Sequence, residues 1–126
     1  MPRVKSSKYF SEAELQCKQF PDESQGMDAD FMEWLDTLRE QMGEPIVLNS
    51  AERTSRHSAE RHKADPTNGA HVLGCAVDVK IPNGAYRHKL IKLAFAMGVE
   101  GFGMEGGFVH LDKYSGKDGR PSVWVY

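Results

Sequence analysis

The sequence has no apolar run approaching the length of a membrane span, so a water-soluble domain without a membrane partner is expected. It has no excess of one charge either. Sixteen basic side chains stand against eighteen acidic ones, which leaves no basic footprint for a nucleic-acid partner. Cysteine is scarce: Cys17 and Cys75 are the two present, and they lie too far apart to make a metal-binding spacing with each other. Two free thiols in a reducing compartment are the expectation. No internal repeat, low-complexity tract or linker interrupts the chain. The opening Met1-Pro2-Arg3-Val4-Lys5-Ser6-Ser7-Lys8 is basic but has no apolar stretch behind it, so it does not read as a secretory signal.

What is present suits one globular domain over residues 1–126, expected to be a monomer. Apolar residues make up 40% of the chain and charged residues 27%, enough to bury one core without disulfide staples. Ser11 and Glu14 have capping-box spacing and Phe10 with Leu15 that of a hydrophobic staple, predicting a short helix from Glu12 to Cys17. Phe31, Leu35, Leu38 and Met42 recur at helical spacing, with Asp28 or Asp30 able to cap the start and Gly43 then Pro45 to stop it. Ile46-Val47-Leu48 reads as a short buried strand. Residues 51–70 form a long polar loop ending in Pro66-Thr67-Asn68-Gly69, and such loops are often functional. A strand over Ala76–Ile81, a helix over Ala85–Met97, a glycine-rich stretch from Gly101 to Gly107, a strand over Phe108–Asp112 and a last strand over Ser122–Tyr126 follow. Helices first and strands later predict an α+β fold with a small, mostly antiparallel sheet and helices packed on one side.

The strongest chemical clue is Asp78, set between Val77 and Val79 in a strand that reads as core. A carboxylate there is costly unless it is paired or holds a metal. Side chains alternate across a strand, so Ala76, Asp78 and Lys80 take one face and Cys75, Val77, Val79 and Ile81 the core face. By the same alternation His110 and Asp112 point away from Val109 and Leu111. His71 lies just before Gly74, where the chain can bend to bring it alongside. Two imidazoles and a carboxylate make a normal catalytic zinc set with a fourth position open. A salt bridge from Asp78 to Arg53 or Lys80 is the purely structural alternative. His57 and His62 read as solvated loop residues, His88 as a surface helix residue and Cys75 as a small buried one.

Ser50-Ala51-Glu52-Arg53, His71-Val72-Leu73-Gly74-Cys75-Ala76-Val77-Asp78 and Phe108-Val109-His110-Leu111-Asp112 together resemble the zinc D-Ala-D-Ala carboxypeptidase and murein endopeptidase family, which shares its metal site with lysostaphin and the hedgehog signalling domain. The resemblance extends to Tyr9–Leu15, to Leu35–Arg39 and to Trp124, and looks closest to short phage- and bacterium-borne members. It implies a zinc ion held by His71, Asp78 and His110, a peptidoglycan peptide as substrate, and Arg53 binding that substrate and balancing charge near its carbonyl. It also implies synthesis in the cytoplasm and delivery to the cell wall by other proteins, as for a phage lysis or tail enzyme. The family's acid three positions before the last histidine is replaced here by Gly107. Asp112 and Glu105 are the catalytic candidates in its place, Asp112 as base or as the group that orients His110, Glu105 as the rival base. A zinc-binding module with little turnover is the alternative that Gly107 keeps open.

Overall fold

The computed structural model describes residues 2–117 and 119–126. In chain order its elements are β1 (Arg3–Val4), α1 (Glu12–Leu15), β2 (Met27–Asp28), α2 (Ala29–Met42), β3 (Leu48–Ser50), β4 (Ala76–Lys80), α3 (Gly84–Ala96), β5 (Gly101–Met104), β6 (Phe108–Asp112) and β7 (Ser122–Val125). Five strands form the main sheet in the order β3-β4-β6-β5-β7, and β1 with β2 forms a separate antiparallel pair. Every neighbour pair in the main sheet is antiparallel except β5 with β7. The α+β class and the mostly antiparallel sheet are therefore as expected.

Local chemistry sets the helix ends. Ser11 Oγ accepts from the Glu14 amide while the Glu14 carboxylate accepts from the Ser11 amide, and α1 stops at Leu15, before the expected Cys17. Asp28, not Asp30, caps α2, its Oδ2 accepting from the Phe31 amide at 3.0 Å. Gly43 ends that helix at φ 69°, a left-handed conformation that favours glycine. Asn83 caps α3 by accepting from the Tyr86 amide at 2.8 Å.

One hydrophobic core joins Phe31, Leu35 and Leu38 of α2, Leu90 and Ala94 of α3, and the inward row Val77, Val79, Phe102, Val109 and Leu111 of the sheet. Burial of these side chains is the dominant favourable term, about 1.5–3 kcal/mol for each large one. Two expectations need correcting. The strand expected at Ile46–Leu48 begins only at Leu48, because β3 is an edge strand and its lead-in residue Val47 is half exposed. No strand is expected in the glycine-rich stretch from Gly101 to Gly107, yet Gly101–Met104 is a central strand between β6 and β7. Its glycines are there for close approach rather than for turning. A Cβ on Gly103 would stand 2.5 Å from Trp124 Nε1, and one on Gly101 would stand 2.2 Å from Asp112 Oδ2.

Candidate metal centre

The face of the sheet opposite the core carries a registered row. Ser50 pairs with Asp78, Asp78 with His110, His110 with Gly103, and Gly103 with Trp124. Directly opposed residues share a face, so Asp78 and His110 are placed side by side by strand register alone. His71 arrives from the loop. Gly74 turns the chain at φ 75° and lies so close to Asp28 and Met27 that a Cβ would meet the Asp28 amide nitrogen at 2.8 Å. The Arg53 amide donates to the His71 carbonyl at 3.2 Å, stitching the segment after β3 to the histidine.

The three side chains are buried, and one donor atom from each lies within 4.8 Å of the others. Their second hydrogen bonds decide which atoms face inward. His71 Nδ1 is 2.7 Å from the Ala51 carbonyl oxygen, which can only accept, so Nδ1 carries the proton. Burial holds His71 below its ordinary value, against the pull of Asp78, and the ring is neutral at pH 7. Its Nε2 lone pair then faces Asp78 Oδ1 at 3.3 Å. His110 Nε2 donates to Asp112 Oδ2 at 2.7 Å, which turns Nδ1 toward the same Asp78 oxygen, also at 3.3 Å. Burial opposes ionisation of Asp78, but hydrogen bonding with His110 above all outweighs it and holds the carboxyl well below the usual range. Burial also opposes charge on His110, and its bonds to Asp112 and Asp78 outweigh that and raise its value.

Two imidazole nitrogens and an ionised oxygen thus converge with only one proton able to relieve their repulsion. A cation relieves it better. Tetrahedral ligands about 2.0–2.1 Å from a zinc ion stand roughly 3.3 Å apart, and both nitrogen–oxygen separations match that, so the donor set suits such a metal.

Two arginine–carboxylate clamps flank the row. Arg53 reaches Asp78 Oδ2 with Nη2 at 3.0 Å and Glu60 Oε2 with Nη1 at 3.1 Å. The bridge from Asp78 to Arg53 exists, whereas Lys80 is exposed and takes no part. Glu60 has no exposed surface, takes a second bond from Lys63 at 2.8 Å, and sits where a Cβ on Gly69 would collide with it at 2.4 Å. Burial works against its charge, but Lys63 and Arg53 hold its carboxyl below the ordinary value. Arg53 Nε is buried and unpartnered, the one such side-chain atom among the described residues. On the far side Asp112 is 0% exposed and its two oxygens accept from His110, Arg120 and the Tyr114 amide.

Glu105 stands apart from this cluster. It is exposed in the turn between β5 and β6, its Oε2 accepts from the Gly107 amide at 2.7 Å, and it makes no hydrogen bond or ion pair with the triad. Its amide donates to the Phe108 carbonyl at 3.0 Å, in the turn just beyond the last residue of β5. His57 is less solvated than expected. It is half-buried beside Arg53, and burial first and that positive charge second lower its value. His62 and His88 are exposed as expected. Cys75 is half-buried, its thiol pushed up to about 12 by burial and by the charge of Asp112, and both cysteines are free.

Sequence reasoning passed over Glu60 and Arg120. Glu60 sits in a loop rich in charges with nothing periodic to single it out, and Arg120 follows a turn well after the last ligand. A weak signal existed for Glu60: it stands seven positions after Arg53, in a loop that must balance an inward-facing guanidinium.

Residues 8–112 match the family model described as peptidase M15. No curated protein and no solved structure gives a match to the chain.

Proposed function

The chain belongs to the peptidase M15 family, a family of metallopeptidases, and from that premise we propose that His71, Asp78 and His110 hold a zinc ion and that the site hydrolyses amide bonds in peptidoglycan stem peptides or cross-links. The observation that carries this reading is the convergence of His71 Nε2 and His110 Nδ1 on Asp78 Oδ1, each at 3.3 Å. A zinc ion supplies Lewis acidity toward a carbonyl and lowers the pKa of water toward neutrality, which is the chemistry amide hydrolysis needs.

The chain's own residues do the rest. Arg53 is fixed on both sides, and its unused N–H groups offer a planar fork to a carbonyl oxygen or a terminal carboxylate. Beside it a cavity of about 340 Å³ combines the neutral donors and acceptors Gln25, Thr54, Ser55 and Thr67, suited to an extended peptide backbone, with the charged Arg3, Glu23 and Glu52. Asp112 orients His110 and is not the base, because its lone pairs are already committed to four hydrogen bonds and it is closed to solvent. Glu105 is the base: it is accessible and its carboxylate is held by a single bond to the Gly107 amide that it can release. The protein acts as a monomer, delivered to the wall by other proteins in the manner of a phage lysis or tail enzyme.

The test is release of D-alanine or of new amino groups from purified sacculi, with and without a chelator. Release that stops on chelation and returns with zinc is expected. A zinc-loaded protein that releases nothing from sacculi of several bacteria would favour the binding module without turnover.

A further inference from the structure

The family match stops at residue 112, and the centre does not. Four side chains, His110 among them, close on one another in a ring of contacts. His110 Nε2 donates to Asp112 Oδ2 at 2.7 Å. Arg120 forks the same carboxylate, Nη2 to Oδ2 at 2.7 Å and Nε to Oδ1 at 3.2 Å. The Arg120 guanidinium lies over the Trp124 ring at 4.9 Å, and that ring lies against the His110 imidazole at 5.2 Å between centroids. Gly101 and Gly103 make the ring possible, since a Cβ on Gly101 would stand 2.6 Å from Arg120 Nε and one on Gly103 2.7 Å from Trp124 Cε2. Two glycines on one face of a central strand are costly in backbone entropy, and close approach of these groups is what they permit.

Resting on the zinc reading above, we propose that Arg120 is a positioning residue for the metal ligand His110, acting through Asp112 and braced by Trp124. The physical reason is orientation of the imidazole. His110 presents Nδ1 to the metal position while Nε2 donates to Asp112 Oδ2, so the placement of that carboxylate sets how the ring lies. A buried carboxylate with no donor fork beside it would rotate to find other partners. Arg120 prevents that. Its fork fixes the plane of the carboxylate, with the Tyr114 amide donating to Oδ1 as well. Trp124 closes the other face of the imidazole and fixes its tilt. Residues beyond the matched region therefore set how firmly the last ligand is held.

The experiment measures zinc affinity by competition with a chromophoric chelator, together with the visible absorption of the cobalt(II)-substituted protein, on Arg120→Ala, Arg120→Lys, Trp124→Phe and a remote control, Lys8→Ala. Arg120→Ala should lose about 10- to 100-fold in zinc affinity, the range typical when a group behind a ligating histidine is removed, and should alter the cobalt spectrum. Arg120→Lys, which keeps charge without the fork, should fall between it and the wild type, and Lys8→Ala should match the wild type. If Arg120→Ala does not fold by circular dichroism, Arg120→Lys and Trp124→Phe carry the test. Wild-type affinity and an unchanged cobalt spectrum in the folded Arg120 variants would overturn the proposal while leaving the metal reading intact. A wild-type chain that takes up no zinc would overturn the metal reading itself.

Discussion

The candidate centre has two halves made in different ways. Asp78, His110 and Asp112 sit on β4 and β6, where register puts Asp78 opposite His110 and Ala76 opposite Asp112. Arg53, Glu60 and His71 come from the long segment between β3 and β4, held by side-chain clamps, a glycine turn and single backbone bonds. A strand-borne side chain is placed by the hydrogen-bond ladder of the whole sheet, and moving it means disturbing the core. A loop-borne side chain is placed by its immediate partners. The strand half, joined by His71, should therefore carry the permanent task of holding a metal, and Arg53 and Glu60 of the loop half the task of meeting a substrate that arrives and leaves.

The largest effect should come from the strand half. Asp78→Asn keeps the shape but removes the charge on which both imidazoles converge, and leaves Arg53 with one carboxylate instead of two. The variant should fail to retain stoichiometric zinc after gel filtration, measured by elemental analysis, and hydrolysis should vanish with it. A fully zinc-replete Asp78→Asn protein would show that the metal is held elsewhere.

Next comes Arg53, where the halves should separate cleanly. Arg53→Ala is expected to keep its zinc and lose about 10²–10³-fold in kcat/KM, the usual result of removing one electrostatic stabiliser of a developing oxyanion. Loss of zinc in this variant would mean that Arg53 too, and not His71 alone, ties the loop half to the metal's support. Glu60→Gln tests the same point one step further out. It keeps the volume under Gly69 but leaves Arg53 with a neutral second anchor, so activity should fall by roughly tenfold, less than for Arg53→Ala. Stability should drop as well, by about 3 kcal/mol in urea unfolding, because Arg53 and Lys63 lose a fully buried charge partner.

The same division explains what could be read from the amino-acid order. Asp78 between two valines, and His110 between Val109 and Leu111, announce themselves because a period of two assigns faces without any knowledge of the fold. The capping box at Ser11 and the stop at Gly43 are equally local. Glu60 and Arg120 have no such period. Their burial depends on partners brought from Arg53 and Asp112 by the tertiary structure, and a charged residue in a loop looks the same whether it faces water or a guanidinium. β5 was hidden for a related reason. Gly101 and Gly103 signal turns in isolation, and only the presence of Asp112, Arg120 and Trp124 beside them shows that they make room instead. β1 and β2, two residues each, are too short to show any period.

The smallest effect should come from His57, a loop histidine that feels the charge of Arg53. Burial and the neighbouring guanidinium lower its value, so the ring is neutral near pH 7 and adds no charge to the cleft. Its Nδ1 accepts from the Ala59 amide at 3.0 Å, a local bond within the turn that does not reach Arg53 or the triad. His57→Ala should therefore change kcat/KM by no more than about threefold, comparable to the loss of one neutral hydrogen bond. A tenfold or larger fall in kcat at unchanged KM would place His57 among the groups that handle protons in the reaction. The loop half would then hold chemistry as well as substrate, and the division of labour drawn from strand and loop would have to be redrawn around it.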